Sequence, residues 1–293
     1  MECHLHIGAH RTGTTAMQKL LQGHSGLLAA AGVAFRGPSA LRRSGLFDVI
    51  QRALHGQVPP KRHQAMRRLL QDWLDEARPA SRIILSDENL SGTMLKNHVS
   101  GLLYPDAAAR LAAFGALLPV QPDVVHVTIR DFVGYWQSVA AHLASRGKLV
   151  SFDAERLSQG AGPSWLPFLQ GVRSAFPAAS LRVMRYDDTV VSRLARALVG
   201  DEVGALLPAP WRSLSLALDD VATARIEALA PGPAREALAQ TLRLHRDPPE
   251  RVFLPDEARD LHAAYAADWQ ALRAGAVAGA WLDPVALAMD PVP

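Results

Sequence analysis

The sequence has little cysteine and little net charge. Cys3 is the single cysteine in 293 residues, so an internal disulfide framework is excluded and a reducing compartment is expected. The formal net charge is only +3 at pH 7, and the basic residues are scattered as much as they are clustered. This charge balance gives no reason to expect nucleic-acid binding.

Long hydrophobic runs are also missing. Apolar stretches such as residues 27–35 contain glycine and are shorter than the roughly 18 residues that cross a bilayer. Charged and polar side chains interrupt residues 1–15, which therefore do not resemble a secretory signal. We expect a cytoplasmic protein without a transmembrane segment.

Short apolar or β-branched segments alternate with helical patterns along the first two thirds of the chain. One helix is predicted over residues 14–31. Because strands and helices alternate, the expected fold is α/β, a parallel sheet flanked by helices in three layers. After residue 203 the pattern is helical and interrupted by prolines, and no strand is predicted there. Strands are predicted at residues 5–8, 33–35, 83–86, 124–129 and 181–186.

The segment Gly-Ala-His-Arg-Thr-Gly-Thr-Thr at residues 8–15 follows the first strand and precedes the first helix. Glycines in this context let successive backbone N–H groups and the positive end of the helix dipole point at one anion. The spacing matches the P-loop pattern G-x-x-x-x-G-K-[ST], except that Thr14 stands where the lysine is expected. The cation lies earlier, at Arg11, and the missing lysine counts against ATP or GTP chemistry.

Residues 10–15, His-Arg-Thr-Gly-Thr-Thr, resemble the phosphosulfate loop Pro-Lys-Ser-Gly-Thr-Thr of the sulfotransferases that use 3′-phosphoadenosine 5′-phosphosulfate (PAPS). The surrounding residues are most similar to the bacterial branch of that family. The resemblance implies an enzyme that transfers a sulfonyl group from PAPS to a hydroxyl or amine acceptor and releases adenosine 3′,5′-bisphosphate. It also implies a PAPS-binding loop formed by His10, Arg11, Thr12, Gly13, Thr14 and Thr15.

Two features of the cytosolic branch of that family are not reproduced. Ala16 stands where that branch has a tryptophan that stacks on adenine, so adenine must be held differently. The C-terminal Arg-Lys-Gly loop that contacts the 3′-phosphate in that branch is also missing. Arg246 or Arg251 is the candidate substitute for that loop.

A second element of the resemblance lies at the end of the strand predicted at 124–129. Arg130 follows this strand, and Ser138 lies eight residues later on the predicted helix. In the resembled family, an arginine and a serine at this spacing bind the 3′-phosphate of PAPS. A guanidinium can bond a phosphate twice, and Ser138, two helical turns on, lies on roughly the same face. The alternative is that Arg130 pairs with Asp131.

Asp87 and Glu88 follow the strand predicted at 83–86, at the sheet edge where ligands bind in open α/β folds. Sulfonyl transfer to a hydroxyl needs a base, and carbohydrate sulfotransferases of the resembled family use a glutamate. We predict Glu88 as the general base, with a pKa raised by burial, and Arg11 as the catalytic cation. Asp87 and His10 are alternative bases, and either acid could instead cap the following helix.

Together these features predict a single domain over residues 1–293 with a P-loop-type sheet. Residues 1–202 form its α/β nucleotide-binding core, and residues 203–293 form its helical C-terminal extension. The acceptor is expected to be a small molecule, a glycan or a lipid head group, and no metal is expected. An acidic acceptor would suit the following basic residues, which could equally form a solvated helix surface: Arg42, Arg43, Lys61, Arg62, Arg67 and Arg68.

Two other functions stay open at this point. A P-loop kinase or NTPase would need Arg11 to replace the missing lysine and Asp87 to hold magnesium. A non-catalytic nucleotide-binding protein would bind adenosine 3′,5′-bisphosphate without consuming PAPS.

Overall fold

The computed structural model describes residues 1–145, 157, 162–208, 233 and 253–284. Within them, six parallel strands form one sheet. They are β1 (Glu2–His6), β2 (Val33–Arg36), β3 (Arg82–Ser86), β4 (Val124–Ile129), β5 (Ser180–Arg185) and β6 (Ala280–Leu282). The order across the sheet is β2-β3-β1-β4-β5-β6. The chain therefore builds one part of the sheet on one side of β1 and then the rest on the other side.

Helices precede or follow every strand in the described part of the chain. A single turn of 3-10 helix spans Glu88–Leu90, directly after β3. The helices are α1 (Thr14–Gly23), α2 (Ser25–Ala30), α3 (Pro38–Arg43), α4 (Leu46–Ala53), α5 (Pro60–Glu76), α6 (Met94–Ser100), α7 (Ala107–Leu117), α8 (Phe132–Ser145), α9 (Leu166–Ala175), α10 (Val190–Val199), α11 (Asp201–Leu206) and α12 (Pro255–Arg273).

Both faces of the sheet are covered by helices. On one face, α1, α2 and α10 enclose a core that includes Met17, Leu21, Ile84, Met184 and Leu194. On the other face, α3, α4, α5, α7, α8, α9 and α12 enclose a larger core that includes Leu5, Phe114, Val127, Trp136 and Trp165. All six residues of β4 are buried, as is typical of a parallel strand between two helical layers. The predicted three-layer α/β fold is confirmed.

The boundaries of two early elements differ from the prediction. The first strand ends at His6 rather than at residue 8, because the positive φ of Gly8 turns the chain into the loop. The helix predicted over residues 14–31 is divided at His24. There the His24 ring bonds the carbonyl oxygen of Leu20 at 2.8 Å, which the main-chain N–H of His24 would bond in a continuous helix.

The C-terminal segment contributes a strand that the sequence did not predict. β6 lies parallel to β5, with Arg182 paired to Trp281 and Val183 to Leu282. Three residues are too few for a periodicity to be recognised. The strand forms because the outer edge of β5 presents unpaired main-chain groups. Asp283 then donates its N–H to Val183 at 3.1 Å and completes the connection.

Residues 203–293 were predicted to be helical, and α12 is a helix within this range. Residues 209–232, 234–252 and 285–293 lie outside the described residues. Arg246 and Arg251 are among the residues outside. No helix in the described ranges has the length and apolar character needed to cross a membrane.

Candidate functional site

The strand order creates a crevice at the carboxyl ends of β1 and β4. From β1 the chain moves to β2 and β3 on one side, and it later returns to β4 on the other side. Loops after two such strands diverge and leave a crevice, which is where open α/β sheets bind their ligands. Residues 7–13 follow β1 and Arg130 follows β4. The two predicted phosphate-binding elements therefore border the same crevice.

The loop after β1 depends on three residues with positive φ, namely Gly8 (92°), Arg11 (61°) and Gly13 (79°). Gly13 directly precedes α1 and ends the turn. Gly8 has a second requirement, since a Cβ added there would lie 2.8 Å from the Cβ of Glu88. The absence of a side chain at Gly8 thus lets the backbone of the loop approach Glu88.

The three threonines of the loop have different surroundings. Thr12 and Thr14 are buried, and their hydroxyl groups donate to the carbonyl oxygen of Ala9 at 2.6 Å and 3.1 Å. These two side chains therefore stabilise the turn itself. Thr15 is exposed at the start of α1, where the first N–H groups of a helix have no partner within it. An anion at this place would meet the main-chain N–H groups and the Thr15 hydroxyl.

The guanidinium of Arg11 extends from the loop to α8. Its Nε donates a hydrogen bond to Ser138 Oγ at 2.8 Å, and its NH1 lies 3.4 Å from His142 Nδ1. Arg130 donates from NH1 to the carbonyl oxygen of Arg11 at 2.9 Å. The structure thus brings Arg11, Arg130 and Ser138 together, although the sequence separates the loop from the other two by more than a hundred residues.

Arg130 is held mainly by groups other than Asp131. The closest approach of its Nε to the Asp131 carboxylate is 4.0 Å, which is an ion pair without a hydrogen bond. Its guanidinium lies over the ring of Tyr186, 4.4 Å from the ring centroid. The carbonyl oxygen of Arg130 accepts a hydrogen bond from Trp165 Nε1 at 2.8 Å. Pairing with Asp131, the alternative considered from the sequence, is therefore a minor contact.

The two acids after β3 have separate roles. Asp87 accepts a hydrogen bond from the Asn89 N–H at 2.9 Å and so caps the 3-10 turn. It also accepts two hydrogen bonds from Arg42, at 2.7 Å and 2.9 Å. Glu88 accepts hydrogen bonds from Gln18 at 3.0 Å and from Arg42 at 3.1 Å. The capping role thus belongs to Asp87, while the Glu88 carboxylate faces α1 and the loop.

The expected rise in the pKa of Glu88 is wrong. Burial does raise the pKa, because Glu88 is only 9% exposed. However, the interaction with the His10 ring, a main-chain hydrogen bond, the positive charge of Arg42 and the hydrogen bond from Gln18 together outweigh burial and hold the pKa below its ordinary value. Glu88 is therefore ionised at neutral pH.

His10 is enclosed on both sides of its ring. Its Nδ1 bonds the hydroxyl of Tyr104 at 2.7 Å, and its Nε2 bonds the side-chain oxygen of Asn89 at 3.2 Å. Burial lowers the pKa of His10, so the ring is neutral at pH 7. Because both nitrogens have partners within the protein, His10 is poorly suited to the role of alternative base.

Four residues of the site were not predicted as site residues: Gln18, Arg42, Tyr104 and His142. In the sequence analysis Arg42 was grouped with a basic surface. Other arginines of that group have different partners in the structure. Arg62 forms an ion pair with Asp48 at 2.6 Å, and Arg67 donates to the carbonyl oxygen of Ala116 at 2.6 Å. Nothing in the sequence signals the contact between Arg42 and Asp87, since α3 and β3 are brought together by tertiary packing.

Comparison of the chain with family models, with curated proteins and with solved structures finds no match.

Proposed function

We propose that this chain is a PAPS-dependent sulfotransferase, which transfers a sulfonyl group from PAPS to a hydroxyl or amine acceptor. The observation that carries the proposal is the contact of Arg11 with both Ser138 and Arg130. PAPS has phosphate groups at both ends of its ribose, so it needs two phosphate-binding elements next to each other. Guanidinium, hydroxyl and main-chain N–H groups are the donors that phosphate oxygens accept.

In the proposed reaction, Glu88 accepts the proton of the acceptor hydroxyl while the acceptor oxygen attacks sulfur. The new bond joins this oxygen to sulfur, and the bond from sulfur to the bridging phosphate oxygen breaks. Adenosine 3′,5′-bisphosphate leaves with the electron pair of that bond. Arg11 and the N–H groups of the loop stabilise the charge that develops on the leaving phosphate. The ionised state of Glu88 is the state that a general base needs.

The contact between Asp87 and Arg42 disfavours the kinase or NTPase alternative. That function would need Asp87 to hold magnesium, but both oxygens of its carboxylate accept hydrogen bonds from Arg42. A cation at Asp87 would have to displace this guanidinium.

Ligand-dependent melting tests the proposed function. Adenosine 3′,5′-bisphosphate is expected to raise the melting temperature of the wild-type protein more than ATP with magnesium does, because a ligand that binds the folded state stabilises it by mass action. A larger rise with ATP and magnesium would contradict the proposal. PAPS consumption should then be measured with hydroxyl and amine acceptors, since binding without any consumption would favour the non-catalytic alternative.

The variant Arg130→Ala tests the second phosphate element. Loss of a charge-assisted hydrogen bond is expected to weaken binding of adenosine 3′,5′-bisphosphate about tenfold or more. Binding of adenosine 5′-monophosphate should weaken less, through the lost hydrogen bond from Arg130 to the Arg11 carbonyl oxygen alone. Arg182→Ala is the control, because the Arg182 guanidinium lies over Trp281 instead, at 5.6 Å. Equal affinity of wild type and Arg130→Ala for the bisphosphate would remove Arg130 from the 3′-phosphate site.

A further inference from the structure

Tyr104 and Arg11 share an uncommon backbone conformation. Among the described residues other than glycine, these two have a positive φ, 50° for Tyr104 and 61° for Arg11. Such a conformation is strained and persists only where the surrounding contacts hold it. The carbonyl side of Arg11 is held by the hydrogen bond from Arg130. The residue on its other side is His10, and His10 is held by Tyr104.

The Tyr104 hydroxyl makes two hydrogen bonds to His10. It accepts one from the backbone N–H at 2.7 Å and bonds the ring Nδ1 at 2.7 Å. The ring Nε2 faces the side-chain oxygen of Asn89 and carries the proton there, so Nδ1 accepts and the hydroxyl donates. The two rings also stack at 13° from parallel. Tyr104 therefore fixes both the main chain and the side chain of the residue before Arg11.

Tyr104 is itself held firmly. Its backbone N–H donates to the side-chain oxygen of Asn97 at 3.0 Å, and the Asn97 amide donates in turn to the Tyr135 hydroxyl at 2.7 Å. The Tyr104 ring packs against Phe168 with 4.7 Å between centroids. Burial raises the pKa of Tyr104 well above its ordinary value, so the hydroxyl keeps its proton at physiological pH. A rigid and permanently protonated hydroxyl thus faces His10.

We propose that Tyr104 is a positioning residue, whose hydroxyl group holds the loop at residues 8–15 in the shape that binds an anion. Tyr104 acts through His10 and does not contact the anion. This inference rests on the proposed function, in which the loop binds the phosphosulfate end of PAPS. In the shape that Tyr104 holds, the main-chain N–H groups of the loop can bind the oxygens of a phosphate group.

The test compares Tyr104→Phe with the wild-type protein by calorimetric titration. Adenosine 3′,5′-bisphosphate and inorganic pyrophosphate are both expected to bind about tenfold more weakly to Tyr104→Phe, because the loop loses the two hydrogen bonds to His10 that fix its shape. Binding of adenosine 3′-monophosphate, which lacks the group that the loop binds, should change less than about twofold. Equal affinities of the two proteins for the first two ligands would overturn the inference.

Tyr265→Phe is the matched control, because Tyr265 is a buried tyrosine on α12 whose ring packs edge-on against Phe132 at 5.7 Å. It should bind all three ligands as the wild type does. Amide hydrogen exchange supplies a local readout, since residues 8–13 should exchange faster in Tyr104→Phe and not in Tyr265→Phe. Faster exchange of this segment in both variants would show that Tyr104 stabilises the fold in general, and it would contradict a specific role in positioning the loop.

A second variant keeps the test decisive if Tyr104→Phe does not fold. Asn97→Ser removes the acceptor of the Tyr104 N–H but keeps the Tyr104 hydroxyl, and a smaller loss of affinity for pyrophosphate is expected. An unchanged affinity would count against the inference. If the wild-type protein binds pyrophosphate but not adenosine 3′,5′-bisphosphate, the proposed function is contradicted. The role of Tyr104 is still tested in that case, because the variants can be compared by their affinity for pyrophosphate.

Discussion

Arg42 holds the carboxylate of Asp87 through two hydrogen bonds, from Nε to Oδ2 at 2.7 Å and from NH2 to Oδ1 at 2.9 Å. The Asp87 side chain is 0% exposed, whereas that of Arg42 is 46% exposed. The same NH2 group also donates to Glu88. The hydrogen bond to Asp87, followed by the nearby negative charges, raises the pKa of Arg42 against the effect of burial. One half-exposed cation is therefore shared by two acids beside the loop.

Removal of this cation should destabilise the fold. Arg42→Gln leaves the buried charge of Asp87 without its partner, and we expect the free energy of unfolding to fall by about 2 kcal/mol. This loss is smaller than the roughly 3–5 kcal/mol for fully buried pairs, because water screens the half-exposed guanidinium. Urea unfolding at pH 7 measures the change.

Arg52→Gln is the control for Arg42→Gln. Arg52 pairs with Asp48 at 3.0 Å, but both side chains are close to half exposed. An exposed pair of this kind contributes less than about 1 kcal/mol. Equal losses of stability in the two variants would show that Asp87 does not depend on Arg42.

The close approach of the loop to Glu88 makes a second prediction, for Gly8→Ala. A left-handed conformation costs a non-glycine residue about 1–2 kcal/mol, and the added Cβ would meet Glu88 at 2.8 Å. The clash is expected to cost about 1–3 kcal/mol more. Gly45→Ala isolates this second cost, since Gly45 has a φ of 80° and no atom within 4 Å of an added Cβ. Similar free energies of unfolding for the two variants would argue against the contact.

Glu88→Gln is expected to separate binding from catalysis. It should retain affinity for adenosine 3′,5′-bisphosphate but lose about 100-fold or more in the rate of sulfonyl transfer, because an amide cannot accept the proton. Glu76→Gln, at an exposed ion pair with Arg36, should transfer at the wild-type rate. Unchanged turnover of Glu88→Gln would remove Glu88 from the role of base.

The pH dependence of kcat/KM gives an independent check on Glu88. Its pKa lies below the ordinary value for glutamate, so the base stays ionised, and no loss of activity due to Glu88 is expected between pH 8 and about pH 5. A fall in activity centred between pH 6 and pH 7 would assign the base to another group.

Three buried histidines lie on one face of the sheet and should make the fold sensitive to acid. His6 and His126 are paired in register on β1 and β4, and His126 Nε2 lies 3.2 Å from His4 Nδ1. Burial lowers the pKa of His4 and His6 to about 4, and that of His126 well below its ordinary value. Arg82 and Arg182 add to the shift at His4 and His126, whereas Glu2 opposes it at His4 and Glu88 at His6.

The sign of the effect follows from these depressed pKa values. In the unfolded chain a histidine binds a proton below about pH 6.5. In the folded protein the rings of His4 and His6 remain neutral down to about pH 4, and the pKa of His126 is also well below its ordinary value. Their contribution to stability is therefore complete above pH 6.5 and is lost as the pH falls. Each histidine should lower the free energy of unfolding by about 1.4 kcal/mol per pH unit in this window. Urea unfolding between pH 7 and pH 5 measures the slope.

Substitution of one histidine tests this assignment. His126→Gln should reduce the slope by about 1.4 kcal/mol per pH unit, which corresponds to one proton per molecule. His55→Gln, at a residue that is exposed in the folded protein, is the control for removal of a histidine. If His126→Gln has the wild-type slope, the acid sensitivity arises elsewhere.

Much of the fold could be predicted because its signals are local. The compact runs at 83–86, 124–129 and 181–186 coincide with β3, β4 and β5 to within one residue at each end. β6 could not be predicted, since its three residues form a strand only where the edge of β5 is available.

The candidate site divides in the same way. The loop at 8–15 could be chosen from residue type and spacing, since its glycines and its cation are local features. The choice of Glu88, Arg130 and Ser138 also used the resemblance to the PAPS-dependent sulfotransferases. The direction of the pKa shift of Glu88 could not be predicted, because burial raises the pKa while His10, Arg42 and Gln18 lower it, and these neighbours come from other segments of the chain. The role proposed for Tyr104 likewise depends on a contact between distant segments.

The sequence by itself determined where five of the six described strands, most of the helices and the glycine loop form, since hydrophobic periodicity and backbone preferences act between residues that are close in the chain. Tertiary structure alone decided the order of the strands, the meeting of Arg11 with Arg130 and Ser138, and the pairing of Arg42 with both Asp87 and Glu88. These contacts join segments that are far apart in the chain, so no local pattern of residues specifies them.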